Sequence, residues 1–234
     1  MTGVILLHAF PYSPQMWAPQ IALLQERYPV WAPNILGQPS LEQAAKTVLD
    51  KMEGWEQAVV GLSMGGYTAF RMWELAPERV AGLVLADTRA GADSDENKAA
   101  RAQQAERIRQ EGIGWLPEAL LKSHLGATTH KERPSVGAEA SRMILEADPE
   151  RIIHSLSALA NRADSRLLLP TIQVPTLVLV GEEDTLTPPS EARYLASAIP
   201  DSRLLIVPDA GHMSSLENPK AFNTALLGFL AEVL

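Results

Sequence analysis

The stretch Val59-Val60-Gly61-Leu62-Ser63-Met64-Gly65-Gly66 decides the reading of this chain. An apolar run over residues 58–60 enters it, and a segment with helical spacing leaves it. Between them lies Gly-x-Ser-x-Gly. A serine on a sharp strand-to-helix turn has a strained backbone and very close neighbours, and glycines at Gly61 and Gly65 remove the side chains that would clash there. The Ser63 hydroxyl then stands clear of a sheet at the N-terminal end of a helix, where backbone N–H groups can receive negative charge. So short a pattern also arises by chance in a chain with 15 glycines. Its meaning therefore rests on the flanking elements and on partners further along.

The flanking elements repeat. Residues 4–7 form a short continuous apolar run, as expected of a parallel strand covered on both faces. A helical stretch follows over 13–27, then a short strand over 29–33 closed by proline at both ends. Residues 41–52 carry one apolar stripe of Leu41, Ala44, Ala45, Val48, Leu49 and Met52 at helical spacing. Strand 58–61 feeds Ser63, and strand 80–86 stops at Asp87-Thr88. From about 91 to 166 no strand is expected; helix-forming windows fall at 95–111, 116–124, 135–147 and 149–160. Strands return at 174–181 and 203–207, with helices at 190–198 and 219–234. Strand and helix alternating on both sides of a helical block predict a parallel α/β sheet, with a core of residues 1–91 and 166–234 and an inserted helical cap of residues 92–165.

The totals suit one such domain. Hydrophobic content of 46% and charged content of 21% are those of a soluble globular protein. A net charge of −8 argues against nucleic acid or an anionic membrane as partner. Without cysteine, disulfides, thiolate nucleophiles and thiolate-bound metals are excluded. The apolar start is too short to span a membrane and lacks the basic flank of a signal peptide, so it reads as a buried strand of a cytoplasmic protein, monomeric or homodimeric.

In an open parallel sheet reactive groups collect at the carboxyl ends of the strands. Ser63 follows the third strand, Asp184 the fifth and His212 the sixth, in the chain order of a hydrolase with a serine elbow. A serine hydroxyl is a weak nucleophile until a base takes its proton; His212 can do this near neutral pH, and Asp184 would hold its tautomer. The oxyanion would meet the backbone N–H groups of Met64 and Phe10. Asp87 and Glu183 are the other acids that could pair with His212. Asp184 is preferred because a tight turn follows it before Pro188-Pro189 opens the next helix.

These residues resemble the α/β-hydrolase superfamily over essentially the whole chain. The likeness is carried by His8-Ala9-Phe10-Pro11, Gly61-Leu62-Ser63-Met64-Gly65-Gly66, Gly181-Glu182-Glu183-Asp184 and Gly211-His212. Within it, the chain is most similar to the 3-oxoadipate enol-lactonase and small-carboxylesterase group. That narrower likeness rests on residues 61–66 and on Val207-Pro208-Asp209-Ala210-Gly211-His212 followed by Leu216-Glu217-Asn218-Pro219. The resemblance implies a cofactor-independent serine hydrolase for a small ester or lactone, working through an acyl-enzyme. Aminopeptidase, carbon–carbon hydrolase and perhydrolase chemistry use the same triad, and a non-enzymatic ligand receptor on this scaffold can retain it. Two departures stand out. Ala9 occupies the family's usual glycine position, and the antiparallel hairpin that usually precedes the first strand is missing. About six strands in the order 2-1-3-4-5-6 are therefore expected, with the second at an edge whose prolines discourage further pairing.

Other residues carry weaker readings. Arg89 follows a strand end and could meet a bound carboxylate or an acidic side chain. Trp17 and Phe10 are candidates for the floor of a pocket, and Trp115 for the inner face of the cap. His8 reads as a brace for the first loop. His124, His130 and His154 lack metal-ligand spacing and read as surface or packing residues; no metal is expected.

Overall fold

The computed structural model describes residues 3–52 and 56–234. Its centre is a six-stranded sheet in the order β2-β1-β3-β4-β5-β6, with every neighbouring pair parallel. β1 (Gly3–Leu7), β3 (Gln57–Leu62), β4 (Val80–Ala86) and β5 (Thr176–Gly181) are buried almost throughout. Their continuous apolar runs fit strands covered on both faces. The edges are β2 (Val30–Trp31) and β6 (Ser202–Val207), both partly exposed. The order agrees with the expectation from sequence. β2 is shorter than its apolar run, because Pro29 and Pro33 bracket it and proline has no N–H for the ladder.

Register brings the strand ends level. Leu7 pairs with Gly61, Leu62 with Ala86, Ala86 with Leu179 and Gly181 with Val207. The loops leaving β1, β3, β5 and β6 therefore open on one rim of the sheet. Helix α2 (Leu41–Lys51) buries the predicted stripe and packs on α3 (Met64–Leu75), which covers β1, β3 and β4. Ser40 caps α2 by accepting the Gln43 N–H. The stretch after β1 is a 3₁₀ turn (Pro14–Trp17) running into α1 (Ala18–Leu24); the expected helix stops early because Tyr28 precedes a proline. α1 packs on α11 (Pro219–Val233), while α9 (Pro189–Ala198) lies against β5 and β6; α10 (Ser214–Glu217) is one short turn after the last strand.

Between β4 and β5 lies a helical insertion: α4 (Asp95–Glu111), α5 (Leu116–His124), α6 (Ala127–Glu132), α7 (Pro134–Leu145) and α8 (Pro149–Ala160). Ser94 caps α4, Gly112 in the left-handed region ends it, and proline opens α7 and α8. α4 packs on α8 and α5 on α7. Arginines fasten the insertion to the core. Arg162, next to α8, donates to Gly91 O at 3.0 Å and pairs within the insertion with the buried Asp93 at 2.6 Å, Arg151 donates to Leu36 O at 2.9 Å, and Arg133 donates to Glu217 O at 2.6 Å. Among the described residues no helix is long and apolar enough to cross a membrane.

Two glycines make equally close backbone approaches, Gly181 to Gly211 O and Gly65 where α3 leaves the sheet. A Cβ on Gly65 would sit 2.0 Å from Leu7 O, whereas one on Gly114 would meet nothing within 4 Å. Gly65→Ala should therefore destabilise the protein by about 3 kcal/mol, lowering its melting temperature by roughly 6–12 °C for a domain of this size. Gly114→Ala should stay within about 0.5 kcal/mol of the parent. Thermal denaturation of the two variants checks the pair.

Candidate active site

Ser63 joins β3 to α3 with φ 54° and ψ −111°, a conformation that costs a non-glycine residue energy and must be imposed by its surroundings. The imposing contacts are specific. The Ser63 N–H donates to Ala86 O (2.9 Å), and its carbonyl accepts from Gly66 N–H, Tyr67 N–H and the Thr88 hydroxyl (2.9–3.1 Å). A Cβ on Gly61 would lie 2.4 Å from the Gly65 carbonyl, so both glycines of the motif are needed sterically.

His212 follows β6, and its Nε2 lies 2.9 Å from Ser63 Oγ. Its Nδ1 is 2.8 Å from Asp184 Oδ2, after β5. With Nδ1–H donated to the carboxylate, Nε2 presents a lone pair to the serine hydroxyl. Asp184 is fixed in its own turn: the Leu186 and Thr187 N–H groups donate to Oδ1, and the Thr187 hydroxyl to Oδ2 at 2.7 Å. Burial acts against charge on Asp184, but His212 and the Thr187 donors outweigh it and hold the carboxyl below the usual range. Neither rival acid reaches the imidazole. Asp87 accepts from Gly181 N–H and pairs with Ser214, while Glu183 accepts from Thr128 at the start of α6.

Around this line the other predicted residues separate. Phe10, Arg89, Tyr67 and Leu186 line a cavity of about 260 Å³ together with Ser63, His212 and residues of α4 and α5. Among the described residues the N–H groups of Phe10 and Met64 have no acceptor. Arg89 keeps its charge: burial is outweighed by Tyr67, Glu191 and Asp93. Trp17 and Trp115 lie outside the cavity wall. Trp17 is sealed in the core beside Phe222, with ring centroids 6.0 Å apart, and Trp115 is covered by the Arg107 guanidinium at 3.9 Å. His8 is the expected brace. Its Nδ1–H donates to Ala9 O (2.9 Å) and its Nε2 accepts from Ile35 N–H (2.9 Å).

Residues 3–219 match the model of the alpha/beta hydrolase fold family. The chain belongs to this family. Among solved structures it is similar to a thermophilic esterase from Thermogutta terrifontis with malate bound, at 35% identity and a TM-score of 0.94 over 100% of this chain and 90% of that one. It is also similar to the enol-lactonase from Burkholderia xenovorans LB400, at 30% identity and a TM-score of 0.88 over 99% and 92%. In sequence it is 27% identical over 223 residues to 3-oxoadipate enol-lactonase 2 of Acinetobacter baylyi, covering 90% of this chain and 82% of that protein.

Two residues of this hydrolase-fold chain escaped the sequence reading. Glu217, buried at the end of α10, accepts the N–H groups of Gly211 and Met213 on either side of His212, and of Gly126 in the insertion, at 2.8–3.0 Å. His124, at the end of α5, expected at the surface or in packing, is buried and in addition lines the cavity. A Glu five residues after a Gly-His pair carries no signal of its own, and a lone histidine in a helical block reads as a surface or packing residue.

Buried titratable groups give the stability a pH dependence of known sign. Burial holds His8 down to about 4 against its hydrogen bonds to Ala9 and Asn34, and burial with the neighbouring His212 holds His124 to about 3. Unfolding below an ordinary histidine pKa of about 6.5 therefore takes up protons at both. Asp87 opposes this. Burial first, and then the nearby Asp184 charge, push it well above the carboxylate range, so unfolding releases its proton. The histidines make stability rise with pH between pH 5 and 6, and Asp87 offsets part of that rise. Asp87→Asn, which removes the opposing carboxyl, should steepen that slope in urea titrations. An unchanged slope would mean that Asp87 is ionised in the folded protein.

Proposed function

We propose that this protein is a cofactor-independent serine hydrolase that cleaves a carboxylic ester or lactone through an acyl-enzyme on Ser63. The observation that carries the reading is the buried line Ser63 Oγ–His212 Nε2 at 2.9 Å and His212 Nδ1–Asp184 Oδ2 at 2.8 Å, ending in the cavity. Ser63 Oγ attacks the carbonyl carbon as His212 Nε2 takes its proton. Asp184 stays ionised and stabilises the imidazolium. The tetrahedral oxyanion is received by the free N–H groups of Phe10 and Met64, the latter at the positive end of α3. His212 returns the proton to the leaving oxygen as the carbon–oxygen bond breaks. Water, deprotonated by the same nitrogen, then attacks the acyl-serine and restores Ser63. The insertion acts as a cap over this chemistry, excluding bulk water.

Arg89 supports a substrate with an anionic or strongly accepting group, because its guanidinium faces the cavity and its Nε has no acceptor. Small oxygen-rich molecules named with the similar proteins, a bound malate with one and an enol-lactone in the name of another, are compatible with this reading.

Short-chain p-nitrophenyl esters should be turned over, and Ser63→Ala should abolish turnover. Asp184→Asn should lower kcat by about 10³–10⁴-fold, since the wrong imidazole tautomer would face the serine. Ester turnover surviving in Ser63→Ala would overturn the reading; ligand-dependent stabilisation without turnover in the parent would favour a receptor. Arg89→Gln should raise KM for an anionic lactone about tenfold, the loss of one charged hydrogen bond, and leave a neutral ester nearly unaffected. Initial-rate kinetics on both substrates check this.

A further inference from the structure

One polar side chain in the cavity wall has no place in the triad. His124 ends α5, and its ring lies beside His212 with centroids 5.7 Å apart and planes tilted by 51°. Tyr12, on the loop that also carries Phe10, sits as close on another side, and its hydroxyl is 2.9 Å from His124 Nδ1. The main chain joins the same parts: Met213 N–H, directly after the general base, donates to His124 O at 3.1 Å. The oxyanion loop, the insertion and the His212 loop therefore meet at this ring.

The proton positions follow from what is buried. Tyr12 is fully buried, and its hydroxyl has His124 Nδ1 as its one partner among the described residues. If the imidazole donated through Nδ1, the tyrosine proton would be stranded away from water, at a cost that buried hydroxyls rarely bear. Tyr12 therefore donates and Nδ1 accepts. Burial and the neighbouring His212 hold His124 down to about 3, so the ring is neutral at physiological pH. A neutral imidazole that accepts at Nδ1 carries its hydrogen on Nε2. That nitrogen has no acceptor among the described residues and is open to the cavity. Around the same cavity stand further donors: Arg89, Asn97, Arg101, Gln104 and Ser123.

We propose that His124, its tautomer set by Tyr12, is a substrate-positioning donor that selects esters or lactones bearing a second acceptor oxygen, a ketone or carboxylate, apart from the reacting carbonyl. This rests on the hydrolase reading of Ser63 and adds the substrate feature read by the cap. A plain alkyl chain would leave the Nε2–H unpaired when water is expelled, and such loss of a partner discriminates strongly between substrates.

The test compares methyl hexanoate with methyl 3-, 4- and 5-oxohexanoate, which differ by one ketone oxygen. It uses the parent, His124→Phe, His124→Gln and Tyr12→Phe. The parent should prefer at least one oxo-ester in kcat/KM. His124→Phe should reduce that preference about tenfold, read within the variant as the ratio of kcat/KM for the oxo-ester to kcat/KM for methyl hexanoate. His124→Gln, which keeps an N–H donor, should restore part of the preference, and Tyr12→Phe, which frees the tautomer, should lose part of it. An equal fall on all four esters in both His124 variants would make the residue merely structural and overturn the proposal, as would a preference untouched by His124→Phe. A parent enzyme that hydrolyses none of the four would remove the hydrolase reading and this proposal together, whereas parent turnover without an oxo preference would remove this proposal alone.

Discussion

The structure depends on the approach of α3 to the end of β1, where the backbone turns through Ser63 with φ 54°. Only glycine fits at Gly61 and Gly65, because their missing Cβ atoms would fall 2.0–2.4 Å from carbonyl groups of Leu7 and Gly65. A serine held in this way has little freedom to relax, so its hydroxyl is aimed by the fold and not by its own rotamer preferences. The parallel register then levels the ends of β3, β5 and β6, and Ser63, Asp184 and His212 meet across 149 and 28 residues of chain.

Three buried carboxyl groups lie close to this turn and do different work. Asp184 is surrounded by donors and by His212, which keep it ionised. Asp87 has fewer donors and is pushed upward by burial first and then by the negative charge of Asp184; its hydrogen bonds join the ends of β4 and β5 to α10. Glu217 accepts three backbone N–H groups and so fixes both the His212 loop and the first turn of α6. Environment alone assigns these roles, since no single carboxylate differs chemically from the others.

Much of this was legible in the residues. Apolar runs such as Val-Ile-Leu-Leu at 4–7 permit few structures other than a buried parallel strand, and the order Ser63, Asp184, His212 after such strands narrowed the chemistry before any coordinates. The short elements were harder. α6 spans six residues of mixed polarity, too few for periodicity, and β2 keeps two ladder residues between its prolines. Trp17 and Trp115 went astray for another reason: an aromatic near a site reads the same whether it faces substrate or packs behind the wall. Here Phe222 and Arg107 take them. His124 and Tyr12 are 112 residues apart, and nothing in either local sequence announces the other.

The fold thus places a rigidly held Ser63 under a helical insertion whose inner wall carries polar side chains. The claim on which the rest stands is that Ser63 becomes covalently acylated. Rapid-quench mass spectrometry of the protein mixed with a short-chain ester, followed by digestion, reads this directly. The peptide containing Ser63 should gain the mass of the acyl group within the first turnover and lose it on standing. Product formed at the same rate with that peptide never modified would contradict the account.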